Sequence, residues 1–96
     1  MTKARKPRRA AATWYVYMLE CTDGRIYTGI ALDVAARYAL HCSGRGAAFT
    51  RINPPRRLLA AMPCAGQGEA TRRESALKKL RRPAKLAWAA QWRRMP

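Results

Sequence analysis

The sequence predicts an α+β domain built on a β-hairpin, and three observations lead to this fold class. A run of apolar and aromatic residues of strand length, Trp14–Cys21, is followed by Asp23-Gly24, which is a strong hairpin signal. Residues 25–30 should return as a second, antiparallel strand. The chain then becomes rich in alanine, which favours a helix, and two later segments also have helical patterns.

The length of the hairpin loop decides which face of the sheet carries Tyr27. A two-residue loop pairs Glu20 with Tyr27 and places Tyr27 on the opposite face from Tyr17. A three-residue loop with Gly24 in the left-handed conformation pairs Leu19 with Tyr27 instead, and both phenols then share one face. We expect the three-residue loop.

A helix is predicted over residues 33–43, directly after the hairpin. Asp33 is a good N-cap, and Gly44 suits the position just beyond the last turn. Arg37 and His41 are four residues apart and therefore lie on one side of this helix. The first half of the chain thus offers two tyrosines, an arginine and a histidine as chemically active side chains.

The charge of the chain predicts a polyanionic partner. Twenty Lys and Arg residues against five Asp and Glu give a formal net charge of +15, and nucleic acid is the first candidate. Charge alone also fits a solvated basic surface or a protein associated with the ribosome. Residues 1–12 hold five basic residues and too little apolar surface to order themselves, so we expect a flexible basic arm followed by a single domain over residues 13–96.

Several other classes of protein are disfavoured by composition. No stretch approaches the ~20 apolar residues of a membrane span, and no signal-peptide core follows the basic start, so we expect a cytoplasmic protein without membrane contact. Cys21, Cys42 and Cys64 are odd in number and lack CxxC spacing, which supports neither a disulfide framework nor a zinc site. His41 and Cys42 are neighbours on a helix, point about 100° apart and cannot form a dyad.

The middle of the chain has the composition of a loop followed by a short apolar segment. Residues 45–55 contain glycine, asparagine and two prolines, and Arg45 and Arg51 are placed to reach phosphates. Residues 56–63 begin with Arg56 and are ambiguous between helix and strand when considered alone.

A helix predicted over residues 69–80 places a carboxylate close to the core. The positions expected to face inward are Ala70, Ala76, Leu77 and Leu80. Glu74 lies on or beside that apolar face, and an inward carboxylate needs a cation or a hydrogen-bonding partner to offset its desolvation. The residues alone leave a metal ion and a salt bridge to an arginine equally open.

A last helix is predicted to start near Pro83, which suits a first turn. Trp88 and Trp92 are four residues apart, with Leu86 and Ala89 beside them. Aromatic residues at this spacing are more typical of core packing than of base stacking.

Four short motifs stand in a fixed order along the chain. They are Tyr15-Val16-Tyr17, Tyr27-Thr28-Gly29, Ser43-Gly44-Arg45-Gly46-Ala47 and Thr71-Arg72-Arg73-Glu74. Together with Arg37 and His41, this order resembles the GIY-YIG nuclease superfamily, above all its small stand-alone bacterial members, over residues 14 to about 80. The resemblance favours a third strand at residues 56–63. The expected fold is a small three-stranded, mainly antiparallel sheet flanked by helices in the order β-β-α-β-α-α.

The resemblance also implies an activity, which is metal-dependent hydrolysis of phosphodiester bonds, with DNA as the expected substrate. It implies that Tyr17 is the general base and that Tyr27 positions water or phosphate. Arg37 would be the electrostatic clamp, His41 an auxiliary proton or phosphate contact, and Glu74 the ligand of Mg²⁺ or Mn²⁺. A free phenol has a pKa near ~10, so Tyr17 can act as a base only where a positive environment favours its phenolate.

Four further cations are expected to contact the nucleic acid: Arg45, Arg51, Arg56 and Lys78. The chain departs from the superfamily pattern at Tyr15, at Cys42 and at Ala48-Phe49, which bears on substrate choice more than on chemistry. The rival interpretation is a non-catalytic, basic nucleic-acid-binding module on the same fold, and a weaker one is a structural partner of the ribosome. We expect a monomer.

Overall fold

A computed structural model of the chain describes residues 13–93, which form three strands and four helices. The strands are β1 (Trp14–Cys21), β2 (Ile26–Ala31) and β3 (Pro55–Cys64), and the helices are α1 (Val34–Cys42), α2 (Ala48–Ile52), α3 (Gln67–Lys78) and α4 (Arg82–Gln91). The basic arm predicted for residues 1–12 lies outside the described residues. The predicted α+β order is confirmed, with α2 as one additional short helix. No helix within residues 13–93 combines the length and the apolar character needed to cross a membrane.

The strands form one antiparallel sheet in the order β2-β1-β3, so the first strand of the chain is the central one. This position explains why β1 is a nearly continuous apolar run: both of its faces are covered. The predicted third strand is confirmed, since residues 56–63 lie within β3 and pair with β1.

The hairpin has the expected three-residue loop. Leu19 pairs with Tyr27, and Gly24 has a φ of +90°, the left-handed region in which glycine is unstrained. As a result, Tyr17 and Tyr27 lie on the same face of the sheet, with their ring centroids 6.3 Å apart.

Helix α1 begins and ends as the sequence predicts. The Asp33 side chain accepts a hydrogen bond of 3.0 Å from the backbone N–H of Ala36, which caps the first turn. At the other end Gly44 has a φ of +81°.

The two faces of the sheet pack against different helices. Val16 and Met18 face a cluster that includes side chains of α3 and α4. Tyr17 and Leu19 face the other side and pack with Val34 at the start of α1. Helix α3 also contacts β2, which is an edge strand. It can therefore present side chains at the border of the face that carries Tyr17 and Tyr27.

The prediction that four residues face the core from α3 is wrong for two of them. Ala76 is exposed, and Leu80 is 38% exposed, whereas Ala70 and Leu77 are buried as expected. Ala76 precedes Leu77 by one residue and so points about 100° away from it. Leu80 lies beyond the end of α3 at Lys78, in the turn that leads to α4.

Helix α4 carries Pro83 in its first turn, as predicted. Trp88 and Trp92 both pack against the core, which confirms the packing role expected from their spacing. Ala89 is buried, but Leu86 is 37% exposed, so only one of the two flanking apolar residues faces the sheet.

Candidate active site

The centre of the candidate site is a buried chain of hydrogen bonds. The hydroxyl of Tyr17 lies 2.9 Å from Nε2 of His41, and Nδ1 of His41 lies 2.7 Å from Oγ1 of Thr50. Thr50 donates its own proton to the carbonyl oxygen of Ala47 at 3.0 Å, so its oxygen accepts from Nδ1. This arrangement places the proton of the neutral ring on Nδ1. The lone pair on Nε2 then accepts the proton of Tyr17.

The protonation states follow from burial, since Tyr17 and His41 are each only 1% exposed. Burial lowers the pKa of His41, and the nearby charge of Arg37 lowers it further, so the imidazole is neutral at neutral pH. Burial raises the pKa of Tyr17, although the charge of Arg37 opposes the rise. A phenolate at Tyr17, which positive surroundings would have to favour, is therefore absent from the free protein. The atom that can accept the proton of the Tyr17 hydroxyl is Nε2 of His41.

Tyr27 completes an aromatic cluster around the histidine. Its ring centroid lies 4.9 Å from that of His41 and 6.1 Å from that of Phe49. The planes of the Tyr27 and Phe49 rings are tilted by only 23° relative to each other. Gly29 leaves room for the cluster, because a Cβ atom at this position would come within 2.7 Å of the Tyr17 hydroxyl. The glycine of the Tyr-Thr-Gly motif is thus required by the close approach of Tyr17.

Arg37 and Glu74 lie on two different helices, and the charges of both act on Tyr17. Arg37 lies one turn before His41 on α1 and is exposed to solvent. Glu74 lies on α3. Burial of the two phenols is the main cause of the raised pKa of Tyr17 and of Tyr27, and the negative charge of Glu74 raises both pKa values further. The five residues expected at the site therefore lie on β1, β2, α1 and α3.

The surroundings of Glu74 fit a divalent cation. Its side chain is 22% exposed and forms a salt bridge of 3.2 Å with Lys78, not with an arginine. Because Lys78 is 55% exposed, this pair contributes only about 0.3–0.5 kcal/mol, and a cation can replace it. No group of three His, Cys, Asp or Glu side chains gathers within residues 13–93. One carboxylate with water and phosphate oxygens is nevertheless a suitable ligand set for Mg²⁺, which retains several waters.

The other predicted nucleic-acid contacts lie outside this cluster. Arg45 follows α1, Arg51 is in the last turn of α2 and Arg56 is on β3, and all three are exposed. Lys78 differs from them, because it lines a cleft together with Tyr27.

Two features of the site were missed because residues 45–55 have the composition of a loop. Within this stretch, Ala48–Ile52 form α2, and Thr50 is the buried residue of that helix. The available signal was a run of residues without glycine or proline, 47–53, between Gly46 and the prolines. Neither the helix nor the contact of Thr50 with His41 follows from that run alone.

Gly46 approaches His41 so closely that an added methyl group would overlap the imidazole ring. We expect Gly46→Ala to displace the ring from Tyr17, to lower stability by about 1–3 kcal/mol and to reduce any cleavage activity at least roughly tenfold. Thermal unfolding, the ring NMR signals of His41 and cleavage rates measure these effects. Gly66→Ala is the matched control, because a Cβ there meets nothing within 4 Å. Equal effects of both substitutions would contradict the prediction.

The fold and the site together define a nuclease-type domain: a hairpin with two facing tyrosines, followed by a helix that carries an arginine and a histidine. The chain belongs to the GIY-YIG family, because the family model described as the GIY-YIG catalytic domain matches residues 13–87.

Relatives of the chain are small bacterial proteins named UPF0213. It is 45% identical over 78 residues to one from Cupriavidus pinatubonensis, which covers 81% of this chain and 87% of that protein. It is 44% identical over 79 residues to one from Xanthomonas axonopodis, covering 82% and 78%. The solution NMR structure of a UPF0213 protein from Bacillus halodurans is 42% identical, with a TM-score of 0.52 and coverage of 82% and 84%. The resemblance to stand-alone GIY-YIG members and the α+β fold are thus confirmed.

Proposed function

We propose that this protein is a metal-dependent endonuclease that hydrolyses phosphodiester bonds of nucleic acid, with DNA as the expected substrate. The observation that carries the proposal is the hydrogen bond from Tyr17 to the neutral imidazole of His41, one helical turn after the exposed Arg37. Hydrolysis needs a group that takes a proton from water and a cation beside the charged oxygens of phosphate. Membership of the GIY-YIG family supports the same activity.

Tyr17 and His41 act as a proton relay in this proposal. The attacking water gives a proton to the oxygen of Tyr17 while Tyr17 gives its own proton to Nε2 of His41. The hydroxyl of Thr50 accepts a hydrogen bond from the Nδ1–H group throughout and holds the ring in place. Because Tyr17 never exists as a free phenolate, its raised pKa is compatible with its role as a general base.

The remaining side chains orient and neutralise the phosphate. Arg37 is exposed at the cluster and binds the oxygens on which charge develops. Tyr27 directs its hydroxyl to water or to a phosphate oxygen. Glu74 would hold Mg²⁺ or Mn²⁺, which would supply positive charge beside the phosphate.

Cleavage of plasmid DNA, DNA oligonucleotides and RNA with Mg²⁺ or Mn²⁺ tests the proposal. We expect cleavage that stops when a chelator is added. If no nucleic acid is cleaved under any of these conditions, the protein is instead a binding module, the rival that its positive charge also supports.

We also propose that the protein acts as a monomer in the cytoplasm, which sedimentation velocity and cell fractionation test.

The pH dependence of cleavage tests the relay. Only neutral His41 can accept a proton, and its folded pKa is lowered. Cleavage should therefore be independent of pH near neutrality and fall only at acid pH, below the range of an ordinary histidine. Measuring kcat/KM from about pH 5 to 8 checks this. The residual rate of His41→Gln should lack the acid limb, and an identical limb in both proteins would assign it to another group.

Binding should depend strongly on salt, because most contacts expected of a chain with a formal charge of +15 are to phosphates. If six phosphates are neutralised, affinity falls roughly a thousandfold between about 50 and 200 mM salt. Fluorescence anisotropy in the presence of a chelator measures binding without cleavage. An affinity that stays constant over this range would argue against phosphate contacts.

A further inference from the structure

A groove leads away from the active site along β2 to the tip of the hairpin. Its inner part lies beside Tyr27, and its outer part has a volume of about 510 Å³, within the range of ligand-binding pockets. Both parts share Ile26, Phe49 and Lys85, so they form one continuous groove.

The groove has a flat aromatic surface. Phe49 stacks on Tyr27, with centroids 6.1 Å apart, and the guanidinium carbon of Arg25 lies 5.0 Å from the centroid of Phe49. Stacking on an aromatic ring and on a planar guanidinium is how proteins hold nucleobases without reading their sequence.

The rim of the groove carries positive charge. Arg25, Arg82 and Lys85 line the outer part together with one acidic residue, Asp23, and the inner part is lined by Lys78 and Lys85. Arg82 is held in place by a hydrogen bond of 2.7 Å to the carbonyl oxygen of Gly24 and by a salt bridge of 3.5 Å to Glu20. An apolar, flat floor with a cationic rim complements a nucleotide, whose base is planar and whose phosphates are anionic.

Arg25 can move at little cost. Its salt bridge to Asp23 is 2.7 Å long, but the two side chains are 66% and 44% exposed, and exposed pairs contribute little to stability. When the guanidinium swings away from Phe49, it can stack on the outer face of a base that takes its place.

We propose that this groove is a nucleobase-binding subsite for a nucleotide next to the scissile phosphate. The base stacks on Phe49, Arg25 closes over its other face, and Arg82 and Lys85 bind the adjoining phosphates. The position of the subsite relative to the cleaved bond rests on the proposed nuclease function, whereas stacking itself requires no hydrolysis.

Oligonucleotides that carry one abasic nucleotide, moved stepwise along the strand, test the subsite. In the wild type we expect cleavage, and binding in chelator, to fall roughly tenfold when the abasic nucleotide occupies one particular position. Phe49→Leu keeps an apolar side chain but cannot stack, so in this variant the abasic nucleotide should cause no further loss of cleavage or of affinity. Phe49→Trp should retain the penalty.

A second pair of variants separates stacking from charge. Arg25→Lys keeps the positive charge but loses the planar group, so the penalty for the abasic nucleotide should shrink. Arg72→Lys is the matched control, because Arg72 is exposed on α3 and does not line the groove. This control should behave as the wild type, and equal effects of the two substitutions would overturn the proposal.

The failure of the subsite and the failure of the nuclease can be told apart. If the protein cleaves but every abasic position gives the same rate and affinity, the subsite is refuted and the nuclease stands. If nothing is cleaved but binding shows a positional penalty that requires Phe49, the subsite stands and the nuclease is refuted.

Discussion

Glu74→Gln should reduce cleavage at least roughly a hundredfold, because the amide keeps the shape of the side chain but loses the charge that holds Mg²⁺. Binding to nucleic acid should survive or tighten, since a negative charge has been removed from a positive surface. Cleavage rates over a titration of Mg²⁺ and Mn²⁺, together with anisotropy in chelator, measure both effects.

Glu69→Gln is the matched control for this experiment. Glu69 is on the same helix as Glu74, and each forms a salt bridge with a cation one turn later, Arg73 at 3.3 Å and Lys78 at 3.2 Å. If Glu74 is only a structural partner of Lys78, its substitution should cost no more than about 0.5 kcal/mol and leave cleavage intact. Similar cleavage rates in the two variants would remove Glu74 from the site.

Features set by neighbouring residues were predictable from the sequence. The turn residues Asp23 and Gly24 fix the hairpin register, and the register places Tyr17 and Tyr27 on one face. The cap at Asp33 and the helical period then align Arg37 and His41. In each case the deciding interaction spans only a few residues.

Features set by distant partners were not predictable from the residues alone. Residues 56–63 form a strand because β1 offers an unpaired edge, which composition does not show. The buried position of Thr50 depends on His41, nine residues earlier, and on the fold of α2. The partner of Glu74 is a different case, because it was expected to be an arginine and proved to be Lys78, one turn later on the same helix.

The tautomer of His41 shows why such distant contacts matter for function. Sequence spacing places this histidine beside Arg37, but only the hydroxyl of Thr50 and the carbonyl of Ala47 determine that Nε2 faces Tyr17 as an acceptor. The structure thereby changes the proposed base from a Tyr17 phenolate favoured by positive surroundings to a relay of two residues.

Tyr17→Phe should abolish this relay and lower cleavage by orders of magnitude, because the ring remains but the hydroxyl that links water to Nε2 is gone. Stability should fall by about 1–3 kcal/mol, since Nε2 of the buried His41 loses its partner. Single-turnover cleavage and thermal unfolding measure the two effects.

Tyr15→Phe provides the matched control, because Tyr15 is also on β1 and packs in the same cluster as Tyr17. The phenol of Tyr15 has no place in the relay, so this variant should cleave at the wild-type rate. If Tyr17→Phe loses stability but not cleavage, the bond between Tyr17 and His41 serves the fold alone. Water would then be activated at another group, and the acid limb of the pH profile should persist in Tyr17→Phe unchanged.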